Sequence, residues 1–93
     1  MLYFFDRYQS FEAFYETLYR GNEIEFSYNG QNFFILPIFD DSHSVIGVSF
    51  GIAYSGKKVK CFSKADLYNV KIGNEFFGNI LDRIEITFYA FWI

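Results

Sequence analysis

The stretch EIEFSYNGQNFFILPIF, from Glu23 to Phe39, constrains this chain more than any other. Its Asn29-Gly30 pair predicts a two-residue type I′ hairpin, because both central residues of that turn need positive φ. A turn of that length sets Phe26 opposite Phe33 and Ile24 opposite Ile35, so these four share one face. The other face takes Glu23, Glu25 and Ser27 from the first strand but Phe34, Leu36 and Ile38 from the second. A strand pair that is apolar on both sides needs cover on both sides. Pro37 removes a backbone donor, which predicts a sheet edge or a bulge at that end.

The segments around the hairpin supply the candidates for that cover. Asp6–Arg20 (DRYQSFEAFYETLYR) carries Tyr8, Phe11, Phe14, Tyr15, Leu18 and Tyr19 at helical spacing. Asp6 and Gln9 form a capping-box pattern, Glu16 and Arg20 are spaced for an i,i+4 ion pair, and Gly21-Asn22 ends the helix. After the polar loop Asp40–Ser44, Val45–Tyr54 predicts a long strand. Ile46, Val48, Phe50, Ile52 and Tyr54 lie on one side of it and Val45, Gly47, Ser49, Gly51 and Ala53 on the other. The small side leaves room for a helix or another backbone to approach closely. Ser55-Gly56 turns the chain into a fourth strand, Val59–Phe62.

Ser63 and Asp66 predict a short capped helix through Asn69, and Val70–Ile72 reads as a short strand or loop before Gly73. One or two helical turns are expected over Asn74–Leu81, with Phe77, Ile80 and Leu81 inward. Arg83–Trp92 is the last strand, in which Ile84, Ile86, Phe88, Ala90 and Trp92 alternate with Glu85, Thr87, Tyr89 and Phe91. The sequence therefore predicts an α+β fold. It has an N-terminal helix, a mainly antiparallel sheet of four to five strands, and short helical segments before a C-terminal strand.

Ninety-three residues make a single domain, residues 1–93, with one core. Folding a chain of this size removes roughly 10,000 Å² from water and leaves about 5,600 Å² exposed. The chain carries 14 Phe, 8 Tyr and 1 Trp, and each aromatic buries ~150–250 Å². Full burial of all of them would take nearly half of that area, so some aromatics are expected at the surface or in an interface.

A net charge of −3 is too mild for a DNA mimic and has the wrong sign for a simple nucleic-acid binder. The single Cys61 rules out an internal disulfide and a cysteine-based zinc site, and its strand-like neighbours predict a buried structural thiol. The start, MLYFFD, lacks the basic n-region of a signal peptide, and no uncharged run approaches the ~18 apolar residues of a membrane span. A cytoplasmic protein without a membrane association is expected.

The runs GNEIEFSYNGQNFFI and SKADLYNVKIGNEFFGNILDRIEI together resemble a loose group of small proteins from low-GC Gram-positive bacteria. In that group an "EIEF-YNGK-Y-I" hairpin precedes a short helix and a closing Asp-Ile segment. The resemblance covers roughly half of the chain. Gln31 stands where the group usually has Lys, and the tail FYAFWI is more aromatic. The group implies a fold and a source, and it brings no activity, cofactor or catalytic residue to carry over.

Three constellations could carry chemistry. Asp40, Asp41 and His43 form the only acid–imidazole cluster, a weak alternative for a divalent metal or an Asp-oriented base. Neither a nucleophile elbow nor a phosphate-binding glycine loop is present, so no catalytic residue and no cofactor are expected. All five lysines fall between Lys57 and Lys71, and Lys57, Lys58, Lys60 and Lys64 with Tyr54 and Phe62 make an alternative nucleic-acid surface. The surplus aromatics Phe34, Tyr89, Phe91 and Trp92 are the leading site, expected to bind another protein or a second copy of the chain. The expected role is a non-catalytic inhibitor, immunity or adaptor module.

Overall fold

The computed structural model describes residues 11–91. Helix α1 (Phe11–Leu18) leads into strands β1 (Asn22–Tyr28), β2 (Gln31–Phe39), β3 (Val45–Ile52) and β4 (Lys58–Cys61). Helix α2 (Lys64–Tyr68), a small hairpin of β5 (Lys71–Ile72) and β6 (Glu75–Phe76), two 3₁₀ turns (Phe77–Asn79 and Leu81–Arg83) and β7 (Glu85–Phe91) complete the chain. Five strands form one antiparallel sheet in the order β4-β3-β2-β1-β7. The fold is α+β. Its exposed surface, 5842 Å², is close to the ~5,600 Å² expected for the mass.

The hairpin has the register that its turn dictates. Asn29 and Gly30 take φ of 52° and 76°, and Phe26 pairs with Phe33 and Ile24 with Ile35. The β1–β2 ladder reaches Ile24 and Ile35 and stops short of Pro37, and the β2–β3 register shifts between Ile38 and Phe39. Pro37 thus sits beside a bulge, where its missing N–H costs the β1 ladder nothing.

One face of the sheet holds the core. Ile24, Phe26, Ile35, Val48 and Phe50 are buried there beneath Phe14 and Leu18 of α1, Leu67 of α2, and Phe77 and Ile80 of the 3₁₀ region. Phe77 is the keystone, with its ring centroid 5.1 Å from Phe50, 5.4 Å from Phe26 and 5.7 Å from Phe14. α1 presents the expected stripe, and Gly21 (φ 92°) ends it. The Asn22 amide then donates to the Thr17 carbonyl at 2.5 Å, satisfying one of the carbonyls a helix end leaves open. The Asp6–Gln9 cap lies outside the described residues. Among the described residues Glu16 and Arg20 form no ion pair; α1 is tied instead through Glu12 to Lys64 at 2.6 Å. α2 carries the predicted cap, with the Ser63 hydroxyl accepting from the Asp66 N–H and the Asp66 carboxylate accepting from the Phe62 N–H.

The structure departs from the sequence expectation in three places. Glu75–Phe76, expected to be helical, is extended and pairs with Lys71–Ile72 across a turn at Gly73 (φ 64°). Tertiary bonds hold it so: the Tyr28 hydroxyl donates to Glu75 at 2.5 Å and Arg83 donates to the same carboxylate at 2.8 Å. β3 ends at Ile52 rather than Tyr54, because Tyr54 turns to φ 66° in the β3–β4 loop. Finally, β7 carries a bulge. Glu25 pairs with Phe88 but Phe26 pairs with Ile86, leaving Thr87 as the extra residue and reversing the alternation beyond it.

Candidate interaction surface

The helices and 3₁₀ turns pack on the core face. Among the described residues, no helix lies on the other face, and the strand register lays its side chains out in rows. One row runs Lys58, Gly51, Phe34, Glu25, Phe88 across all five strands; beside it, Lys60, Ser49 and Leu36 pair across β4, β3 and β2, and Glu23 pairs with Ala90 across β1 and β7. The centre is apolar, with Phe34, Leu36 and Ile38 of β2 half-buried. The β4 edge is basic, through exposed Lys58 and Lys60, and the β1–β7 side is acidic, through exposed Glu25 and Glu85.

The two glycines of β3 shape this face. A Cβ on Gly51 would lie 2.4 Å from the Phe34 ring, and one on Gly47 would lie 2.7 Å from both the Phe62 ring and the Cys61 carbonyl oxygen. The small side of β3 is therefore not an approach lane for a helix. It is a pair of seats on which the chain's own Phe34 and Phe62 rings lie. Phe62 is still 55% exposed and Phe88 43% exposed, and Tyr54, in the β3–β4 loop, is exposed in full. A bulky residue at positive φ is uncommon. A depression of about 280 Å³ between Phe34, Leu36, Ala53 and Tyr54 is bordered by Glu23 and Glu25.

Of the sequence-predicted binding residues, Phe34 lies at the centre of this face. The bulge at Thr87 redistributes the others: Tyr89 comes into register with Ile24 and Phe91 with Asn22, while Phe88 takes the position opposite Glu25. Trp92 lies outside the described residues. Simple alternation puts Phe88 on the same side as Ile86, and no glycine or proline marks the bulge that separates them.

The lysine window divides. Lys57, Lys58 and Lys60 are exposed at the β3–β4 turn and on the edge strand, whereas Lys64 is held by Glu12 across the α1–α2 contact. That contact keeps the Glu12 carboxyl below its ordinary range. The Asp40–Ser44 loop is closed on itself. One Asp40 oxygen accepts from the Ser42 and Ser44 N–H groups at 2.9 and 3.0 Å and from the Ser42 hydroxyl at 2.8 Å. These bonds, led by the Ser44 N–H, lower the Asp40 pKa and give the loop the form of an Asx turn. Among the described residues no three His, Cys, Asp or Glu side chains are grouped as a metal ion would need, those of the Asp40–His43 loop included. Cys61 is buried, and burial pushes its thiol up to about 11. No helix of the described residues is long and apolar enough to cross a membrane.

Comparison with protein-family models, with curated proteins and with solved structures finds no match to this chain.

Proposed function

We propose that this chain is a small non-catalytic protein-binding module, of the inhibitor, immunity or adaptor kind, that binds through the open face of its sheet, and that its first partner is a second copy of itself. The observation that carries the proposal is the polarity of that face: basic edge, apolar centre, acidic edge. A two-fold axis running along β2, in the plane between two facing sheets, places each copy's β1–β7 side over the other's β3–β4 side. Phe34 then faces Phe34 of the second copy, and Glu25 of each copy comes over the Gly51–Lys58 pair of the other, where it reaches Lys58 past the edge of the Phe34 ring. Sheets packed this way stack about 10 Å apart with their strands nearly aligned. The contact is isologous, so every Glu25–Lys58 encounter occurs twice.

Five strands spaced about 4.8 Å apart and some 20 Å long give roughly 500 Å² of projected area per copy. That is the low end for stable association, so a dimer of about micromolar strength is expected. Mixing two charge-reversed chains tests the geometry. Lys58→Glu alone and Glu25→Lys alone each set like charges together twice and should dissociate at concentrations where the wild type is dimeric. Mixed one to one, the two variants regain both opposite-charge contacts and should form a heterodimer. Failure of the mixture to associate, or dimers of either variant alone, would refute the arrangement.

The second reading is a nucleic-acid-binding accessory role for Lys57, Lys58 and Lys60 with Tyr54 and Phe62, supported by their exposure. With Lys64 engaged by Glu12, three of the four candidate lysines remain to neutralise phosphate. The acidic side of the same face opposes a polyanion. Binding of single-stranded oligonucleotide that falls steeply with salt would favour this reading over the first.

A further inference from the structure

The core face also has an opening. At the β4 edge the helical layer stops short of the sheet, leaving a cavity of about 280 Å³. Phe33, Phe50 and Val59 line it from the sheet, and Val70 and Ile72 from the segment after α2. Val59, paired with Phe50 on the core side of the ladder, is nevertheless 53% exposed because nothing among the described residues fills this space. Lys57 and Lys71 stand at its rim, Lys58 borders it from the edge strand, and no Asp or Glu lines it. Among the described residues none of these three lysines has an ion-pair partner. The Lys71 ammonium lies 5.5 Å from the Phe76 ring centroid, which holds that charge beside the hairpin.

An apolar cavity with a rim of unpaired ammonium groups and no carboxylate is complementary to a small apolar acid. We infer that this cavity is a ligand site for a monocarboxylate with an unbranched or aryl body, of the size of a medium-chain fatty acid. A methylene takes up about as much room as a water, ~30 Å³, so the cavity accommodates a body of roughly eight to ten carbons. The carboxylate remains at the mouth between Lys57 and Lys71, where solvent still reaches it, so the lysines select for negative charge while the apolar walls supply most of the affinity. The site lies on the opposite side of the sheet from the proposed dimer face and does not depend on that proposal.

Octanoate, octanol and octylammonium distinguish the terms. Each is titrated into the full ¹⁵N-labelled chain below its micellar concentration while backbone amide shifts are followed. Octanoate should give saturable shifts at Val59 and Val70–Gly73, with octanol binding about threefold to fivefold more weakly and octylammonium more weakly still. Reversing Lys57 and Lys71 together to Glu should lower octanoate affinity at least about fivefold and leave octanol unchanged. Val59→Trp should fill the cavity and abolish binding of both. Lys64→Glu, a charge reversal away from the cavity, should leave octanoate binding unchanged. Equal binding of octanoate and octanol, shifts centred on Phe34 and Phe88, an equal loss with Lys64→Glu, or no saturable shift would each overturn the inference.

Discussion

At the scale of single residues, the two faces of the sheet tolerate change differently, because their crowding has different sources. Phe77 touches α1, β1 and β3 at once, so Phe77→Ala leaves a void that none of the three can close alone. A loss of about 3–5 kcal/mol is expected in denaturant unfolding. On the open face, Gly47 and Gly51 make a paired comparison. Gly51→Ala meets only the Phe34 ring, which can swing outward, whereas Gly47→Ala also meets the fixed Cys61 carbonyl. Gly47→Ala should therefore destabilise by about 1–3 kcal/mol, and Gly51→Ala by distinctly less. Equal losses at the two positions would contradict the difference between a side-chain and a backbone neighbour. Cys61, buried with its thiol pushed up to about 11, should resist thiol reagents near neutral pH until the chain is unfolded.

At the scale of elements, the β5–β6 hairpin is held by one carboxylate. Glu75 accepts from the Tyr28 hydroxyl and from Arg83, and those bonds, Tyr28 first, hold its pKa below the ordinary carboxylate range. A carboxyl depressed by folding stabilises fully above its unfolded pKa, ~4.3, and that contribution is lost as pH falls through the lower folded value. Acidification below about pH 4 should thus lower the melting temperature. Glu75→Gln should lower it at neutral pH and flatten the acid slope that Glu75 contributes. An unchanged slope would mean that the clamp is not coupled to stability. The same hairpin marks the limit of sequence reasoning. The β1–β2 register was legible because Asn29-Gly30 admits one turn and a period of two fixes everything beyond it. Ser63–Asp66 was legible for the same local reason, a cap that needs only four residues. Glu75–Phe76 was not, since partners from Tyr28 and Arg83 hold it extended. Nor was the bulge at Thr87, which moves Phe88 rather than Thr87 opposite Glu25 and leaves no trace in the alternation. The open face was half legible: Phe34 and its neighbours announced it, but its charge polarity needed the strand order.

At the scale of the whole molecule, a chain with 23 aromatics (14 Phe, 8 Tyr, 1 Trp) resolves its surplus unequally. The core face takes α1, α2 and the Phe77 turn, and the other face keeps Phe34 and Leu36 between a row of lysines and a row of carboxylates, with Phe62 and Phe88 toward its two edges. The apolar centre should hold two copies together, while the charged flanks set the direction in which they dock. Salt should weaken the dimer only a few-fold, because exposed pairs contribute modestly and are screened. The most direct measurement is the solution mass by size-exclusion chromatography with light scattering, across concentration and in low and high salt. A mass of twice 11.0 kDa at the higher concentrations in both salts, falling to the single-chain mass in a folded Phe34→Asp chain, is the predicted result. A single-chain mass at every concentration, or a dimer that Phe34→Asp leaves intact, would contradict it.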